Sequence, residues 1–160
     1  MKLLILCVGR LKEAAEREIV RRYLQRFEKI GAPLGFGAVT IVELAESKCR
    51  TASERKADEA GAIRKKIPGE AELIALGEHG TKLTSADFAR RLGQERDRGV
   101  RTLCLVIGGP DGLDPSLTEQ ASLQLSFGRM TMPHGLIRAV LAEQLYRAAT
   151  ILAGHPYHRD

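Results

Sequence analysis

Apolar and polar positions follow two different periods along this chain, and the switches between them mark an alternating series of strands and helices. The first strand is K-L-L-I-L-C-V, Lys2 to Val8, a nearly unbroken apolar run of the kind found in strands covered on both faces. Leu11 to Ile30 changes to a helical period, with Ile19, Val20, Tyr23, Leu24 and Phe27 on one side. A second strand is expected at Ala38 to Leu44, a weakly apolar surface helix at Thr51 to Ile67, and a third strand at Leu73 to Leu76. G-E-H-G-T-K-L-T-S then predicts a turn into a helix over Phe88 to Arg98, with Thr84 and Asp87 at capping-box spacing. Thr102 to Ile107 forms the fourth expected strand, followed by a short helix over Asp114 to Ala121 with Asp114 as N-cap and Pro115 in the first turn. Leu123 to Phe127 is the fifth strand. The last helix spans Leu136 to Leu152 and starts from a loop ending near Pro133, with Ile137, Val140, Leu141, Leu145, Ala148 and Leu152 facing inward.

Repeated strand–helix units with apolar strands predict an α/β fold, a parallel sheet with helices on both faces. Ligands of such sheets bind at the carboxyl ends of the strands. There the third, fourth and fifth strands carry Gly77–Gly80, Gly108–Gly112 and Gly128–His134. Three loops with so little side-chain bulk leave backbone groups open to a ligand, and they are expected to line one cleft. No repeat, low-complexity tract or linker breaks the pattern, so residues 1–160 are expected to form a single domain.

Composition narrows the class without naming a chemistry. Hydrophobic content of 44% with 28% charged residues describes an ordinary globular chain, and no apolar run approaches the ~20 residues of a membrane span. M-K-L-L-I-L-C-V-G is too short for a signal peptide, and Arg10, Lys12 and Glu13 follow it without a small-residue cleavage site. A net charge of +5 favours an anionic partner. The cations crowd Arg10 to Lys29 and Arg90 to Arg101, but they are interleaved with acids, which describes solvated helix faces with i,i+4 pairs. Three cysteines in no C-x-x-C pairing point to a reducing compartment and a cytoplasmic location, with Cys7 and Cys104 in the core and Cys49 at the surface.

Most catalytic motifs are excluded. I-G-G-P-D-G-L has no Lys where a P-loop needs one, and V-G-R-L-K-E supplies one Gly where a dinucleotide fingerprint needs three. There is no G-x-S-x-G, and no metal site is expected: His155 and His158 have H-x-x-H spacing, but Pro156 lies between them in a tail. That tail, H-P-Y-H-R-D, is open to two readings. It is either an idle chain end or an RNA-binding finger, with cations for phosphate and rings for stacking.

L-V-I-G-G-P-D-G-L, then S-F-G-R-M-T-M-P-H-G-L-I-R-A-V-L-A-E-Q-L-Y-R-A, then H-P-Y-H-R-D together resemble the RlmH family. M-K-L-L-I-L-C-V-G and L-x-x-x-G-T-K-L-T-S-x-x-F-A extend the resemblance over nearly the whole chain. The resemblance implies a SPOUT-class, S-adenosylmethionine-dependent methyltransferase that modifies N3 of a pseudouridine in 23S ribosomal RNA of the large subunit. It also implies an α/β/α sandwich with a C-terminal trefoil knot, acting as a homodimer on the ribosome. Alternatives are a ribosome- or RNA-binding knotted protein without this activity, and a SPOUT methyltransferase acting on transfer RNA.

Residue by residue, the resemblance places Leu76, Gly108, Gly109, Gly128, Arg129, Met130, Thr131, Met132 and Pro133 around the cofactor. It places His134, Arg138, Tyr146 and Arg147 toward RNA, and Tyr157, His158 and Arg159 at the reacting base, with the tail of one subunit completing the site of the other. This chain has Gly77 where some relatives carry Asp, and Gly135 where others carry a larger residue.

Overall fold

The computed structural model describes residues 1–159; Asp160, the last residue of the tail motif, lies outside them. Among the described residues five strands, β1 (Lys2–Val8), β2 (Val39–Leu44), β3 (Ala71–Lys82), β4 (Thr102–Ile107) and β5 (Leu123–Ser126), alternate with five α-helices, the first followed by a 3-10 turn at Ala32–Leu34. The helices are α1 (Ala14–Gly31), α2 (Ala52–Arg64), α3 (Ser85–Asp97), α4 (Pro115–Thr118) and α5 (His134–Leu152). All strand pairs are parallel, in the order β2-β1-β4-β3-β5. The strands that end in the three glycine loops are therefore immediate neighbours.

The unbroken apolar runs of β1 and β4 follow from their place inside the sheet. Alternate residues face opposite sides of a strand, and both sides are covered. Leu3, Ile5, Cys7, Leu103, Leu105 and Ile107 pack on one side against α1, α3 and α5, meeting Phe27, Leu92, Leu141 and Leu145. Leu6, Val8, Cys104 and Val106 face the other side, against Ile63 of α2 and Leu117 of α4. The expected α/β/α layering is what forms. Of the α5 residues expected inward, Leu141, Leu145 and Ala148 are buried, while Ile137, Val140 and Leu152 are half-buried. Burial pushes the thiols of Cys7 and Cys104 up to about 11, and Cys49 is exposed.

Of the element boundaries that differ from the sequence pattern, two shape the site. β3 runs on to Lys82, because Leu125 of β5 faces both Leu76 and Thr81 while residues 77–80 loop out between them. A Cβ on Gly80 would stand 2.6–2.7 Å from backbone atoms of Gln124 and Leu125, so only glycine allows this approach. The first helix starts at Ala14 instead of Leu11, because the Leu11 amide donates to Glu43 Oε1 at 2.7 Å. The predicted hydroxyl cap forms, with Thr84 accepting from the Asp87 amide, and the structure adds a full capping box between Thr51 and Glu54 at the start of α2.

Candidate active site

The loop after β4 is built from its glycines. The Gly112 amide donates to the Gly109 carbonyl at 3.0 Å, and Gly112 has φ +82, a left-handed conformation that favours glycine. α2 braces this loop from below. Arg55 makes a two-point contact with Asp111, Nε to Oδ2 at 2.6 Å and Nη2 to Oδ1 at 3.1 Å, and its Nη1 also donates to the carbonyls of Cys49 and Arg50. Glu59, only 6% exposed, accepts from the Ser47 amide at 3.0 Å and lies against Gly109. Arg55 and Glu59 stand in no motif, and Asp111 stands in I-G-G-P-D-G-L without a role of its own, since each matters only through partners distant in sequence.

Ser126 joins the other two loops. Its hydroxyl donates to the Glu78 carbonyl at 3.0 Å and accepts from the Gly128 amide at 3.2 Å. The looped-out 77–80 segment and the G-R-M-T-M-P loop are thereby held side by side at the end of β5. Gly77 and Gly128 each have nothing within 4 Å of a Cβ position, so space is open there. Met130 is 82% exposed, an apolar side chain with no internal partner, and Met132 is half-buried. Leu76 is different: its side chain belongs to the core, at 7% exposure, and it contributes the strand end rather than an open surface. Bare backbone, open glycine positions and an unburied methionine suit a ligand that is polar at its ends and apolar in its body.

α5 rises from this loop, and its N-terminal residues divide into those that face out and those that do not. His134 is half-buried, with Nε2 3.7 Å from the Cβ position of Gly9. Gly135 leaves room for the Glu16 carboxylate, which sits against it at a helix start that has no side-chain cap. Arg138, expected to face RNA, is instead an internal tie: its side chain is 2% exposed and donates to Glu43 Oε1 at 2.7 Å, Val8 O at 3.1 Å and Gly9 O at 2.7 Å. Tyr146, also expected to face RNA, is 7% exposed and packs between Tyr23 and Tyr157, with ring centroids at 6.0 and 4.6 Å.

The tail is ordered by a carboxylate. Glu143 Oε1 accepts from Arg147 Nε at 2.9 Å and from the Tyr157 hydroxyl at 3.1 Å, and the Arg147 guanidinium lies 4.9 Å from the Tyr157 ring centroid. Arg147 Nη1 is 3.3 Å from His158 Nδ1. Arginine can only donate, so Nδ1 is the acceptor and the imidazole hydrogen sits on Nε2. Of the residues expected to work together, Tyr157, His158 and Arg147 are thus assembled, and Arg159 is exposed beyond them. Glu143 is visible in sequence only as the i,i+4 partner of Arg147; its hold on Tyr157 needed the fold.

Burial, with hydrogen bonding to Tyr23 and the nearby charge of Glu143, raises the Tyr157 hydroxyl well above its ordinary value. A group whose folded value is raised contributes stability below about pH 10, and that contribution is lost as pH climbs further. In an alkaline titration followed by tyrosinate absorbance, one of the three tyrosines should stay un-ionised well past about pH 10 until the tail detaches. Glu143→Ala should bring it down, and an unchanged titration would contradict this tail contact.

Residues 1–158 match the family model described as "Predicted SPOUT methyltransferase". Relatives named "Ribosomal RNA large subunit methyltransferase H" are similar over their full length. The one from Rhodopseudomonas palustris is 52% identical over 159 residues, covering 99% of each chain. The one from Xanthobacter autotrophicus is 48% identical, with the same coverage. Among solved structures, the SpoU methyltransferase AviRb from Streptomyces viridochromogenes in complex with the cofactor AdoMet is 15% identical, with a TM-score of 0.43, covering 96% of this chain and 61% of that one. With its glycine loops on neighbouring parallel strands and its match from residue 1 to residue 158, the chain belongs to the SPOUT methyltransferase family.

Proposed function

We propose that this chain transfers the methyl group of S-adenosylmethionine to N3 of a pseudouridine in large-subunit ribosomal RNA, as one domain and as a homodimer in the cytoplasm. The observation that carries the reading is the convergence of the 77–80, 108–112 and 128–133 loops at adjacent strand ends, braced by Ser126 and Arg55. Gly108, Gly109 and the 128–133 segment would hold the cofactor, with Met130 and Met132 against its apolar parts. Bound there, the cofactor supplies an activated methyl group on a sulfonium. A trefoil knot through these loops is part of the same reading.

The protein's own contribution is positioning and charge. Alignment of two bound reactants is worth about 7–11 kcal/mol in favourable cases. N3 of the base gives up its proton to solvent water, and the exposed guanidinium of Arg159 stabilises the negative charge left on the base. His158 carries its hydrogen on Nε2 when Nδ1 accepts from Arg147, which makes it a hydrogen donor rather than a base. Tyr157 anchors the tail and His134 borders the cofactor loop. The homodimer is supported by apolar surface beside the site: Leu136 of α5 is 48% exposed, next to half-buried Ile137 and Val140. In that dimer the tail of one subunit closes the site of its partner.

S-adenosylmethionine at a hundredfold excess over its dissociation constant should raise the melting temperature by about 5–10 °C. Ribosomes from cells lacking this gene should incorporate its labelled methyl group at one pseudouridine. Ribosome binding with neither stabilisation nor incorporation would mark a binding module instead.

A further inference from the structure

With Arg138 turned inward, the edge beside the cofactor loops lacks the guanidinium expected to meet RNA there. The turn after β1 provides another. Gly9 is buried with φ +86, Arg10 is exposed, Leu11 is 7% exposed and Lys12 is exposed. Both flanks of Arg10 are pinned by the same ion pair: the Gly9 carbonyl accepts from Arg138, and the Leu11 amide donates to the carboxylate of Glu43 that pairs with Arg138. A left-handed glycine and two bonds to one internal ion pair fix the backbone on either side of a single outward side chain.

The turn also stands at the right place. Val8, directly before it, touches the Cβ position of Gly109 at 3.0 Å, and His134 Nε2 lies 3.7 Å from that of Gly9. Arg10 therefore leaves the sheet edge between the β4 loop and the start of α5. Its charge is not spent internally. Arg21, Arg55, Arg90, Arg91 and Arg147 each pair with a carboxylate, whereas among the described residues Arg10 and Lys12 have no ion pair. Glu46 approaches Gly9 from the loop after β2 but takes no bond from Arg10.

The geometry points to Arg10 as a phosphate-binding residue for the RNA strand entering the site, with Arg138 and Glu43 as positioning residues that hold its turn. This rests on the RNA-methyltransferase reading above. The partner is the RNA sugar–phosphate backbone: a lone guanidinium on a fixed turn gives register along a strand and no base identity. With the backbone held in advance, only the Arg10 side chain has to be ordered on binding.

The test is binding of the full-length protein to ribosomes from cells lacking this gene, measured by co-sedimentation across a salt series, with cofactor affinity from calorimetry beside it. Arg10→Ala should weaken ribosome binding about tenfold and reduce the slope of log affinity against log salt by about one. Arg10→Lys should keep most of the affinity, and the cofactor affinity of both should match wild type. If wild type binds ribosomes and Arg10→Ala binds them equally well with the same slope, the assignment of Arg10 fails while the functional reading stands. If Arg10→Ala loses cofactor affinity instead, Arg10 belongs to the cofactor pocket and the assignment also fails. If wild type neither binds nor methylates ribosomes, both fall.

Discussion

Replacing Arg138 with Met should lower the melting temperature by about 6–12 °C, equivalent to about 3 kcal/mol for a domain of this size. Met preserves much of the buried stem, so the loss isolates the polar end of the side chain. That end makes three short contacts, to Glu43, Val8 O and Gly9 O, and hydrogen bonds to a charged group are worth about 1.5–3 kcal/mol each. The full sum is not expected. Glu43 is 35% exposed and regains water when its partner leaves, and Arg138 Nε is already buried without a partner. Glu43→Gln, which keeps an acceptor, should cost about 1 kcal/mol. Thermal melts without ligand decide this. A shift under about 2 °C would mean that Arg138 is not the tie described and would return it to the RNA-facing role expected from sequence.

Gly108→Ala and Gly77→Ala should part company, although both glycines border the proposed cofactor pocket. A Cβ on Gly108 would lie 2.7 Å from the Gly112 carbonyl carbon, 2.9 Å from its oxygen and 2.9 Å from the Leu113 nitrogen. All three are backbone atoms of the same tight loop, so the loop itself must open. Overpacking of this kind costs about 1–3 kcal/mol, which corresponds to a loss of about 10- to 100-fold in cofactor affinity if the loop shape is what binds. The unliganded melting temperature should fall with it. Gly77→Ala meets nothing within 4 Å and should melt like wild type in the absence of ligand. Its effect, if the cofactor fills that space, will appear only in calorimetry. Equal destabilisation of the two unliganded variants would show that the loop after β4 is not the constrained one.

What sequence made legible here is what is local. The strand runs, the Thr84 and Asp114 caps and the glycine-bearing strand ends all depend on neighbours a few residues away. The braces of the site do not: Arg55 and Asp111 are 56 residues apart, and Arg138 and Glu43 are 95 apart. Arg138 did carry a readable signal. It stands at i, i+3 and i+7 with Leu141 and Leu145 on the buried stripe of α5, as Tyr146 follows Ala142 by four. The family resemblance placed both side chains toward RNA, whereas the helical period of α5 puts them on its buried stripe, where they lie. The extent of β3 was hidden for another reason: the looped-out 77–80 segment has the composition of a turn, and only the β5 partner shows that the strand resumes.

The Arg138 tie joins residues 8, 9 and 43 to a helix made about a hundred residues later, and β1 likewise pairs with β4 from across the chain. During synthesis the first two strands emerge with one flank bare and the backbone carbonyls at their end unsatisfied. Contacts of such long separation close late because the loop entropy is lost before they form. The cofactor edge thus comes into being last, and a truncation within α5 would leave not a weakened enzyme but a five-stranded sheet with one apolar face partly uncovered and prone to self-association.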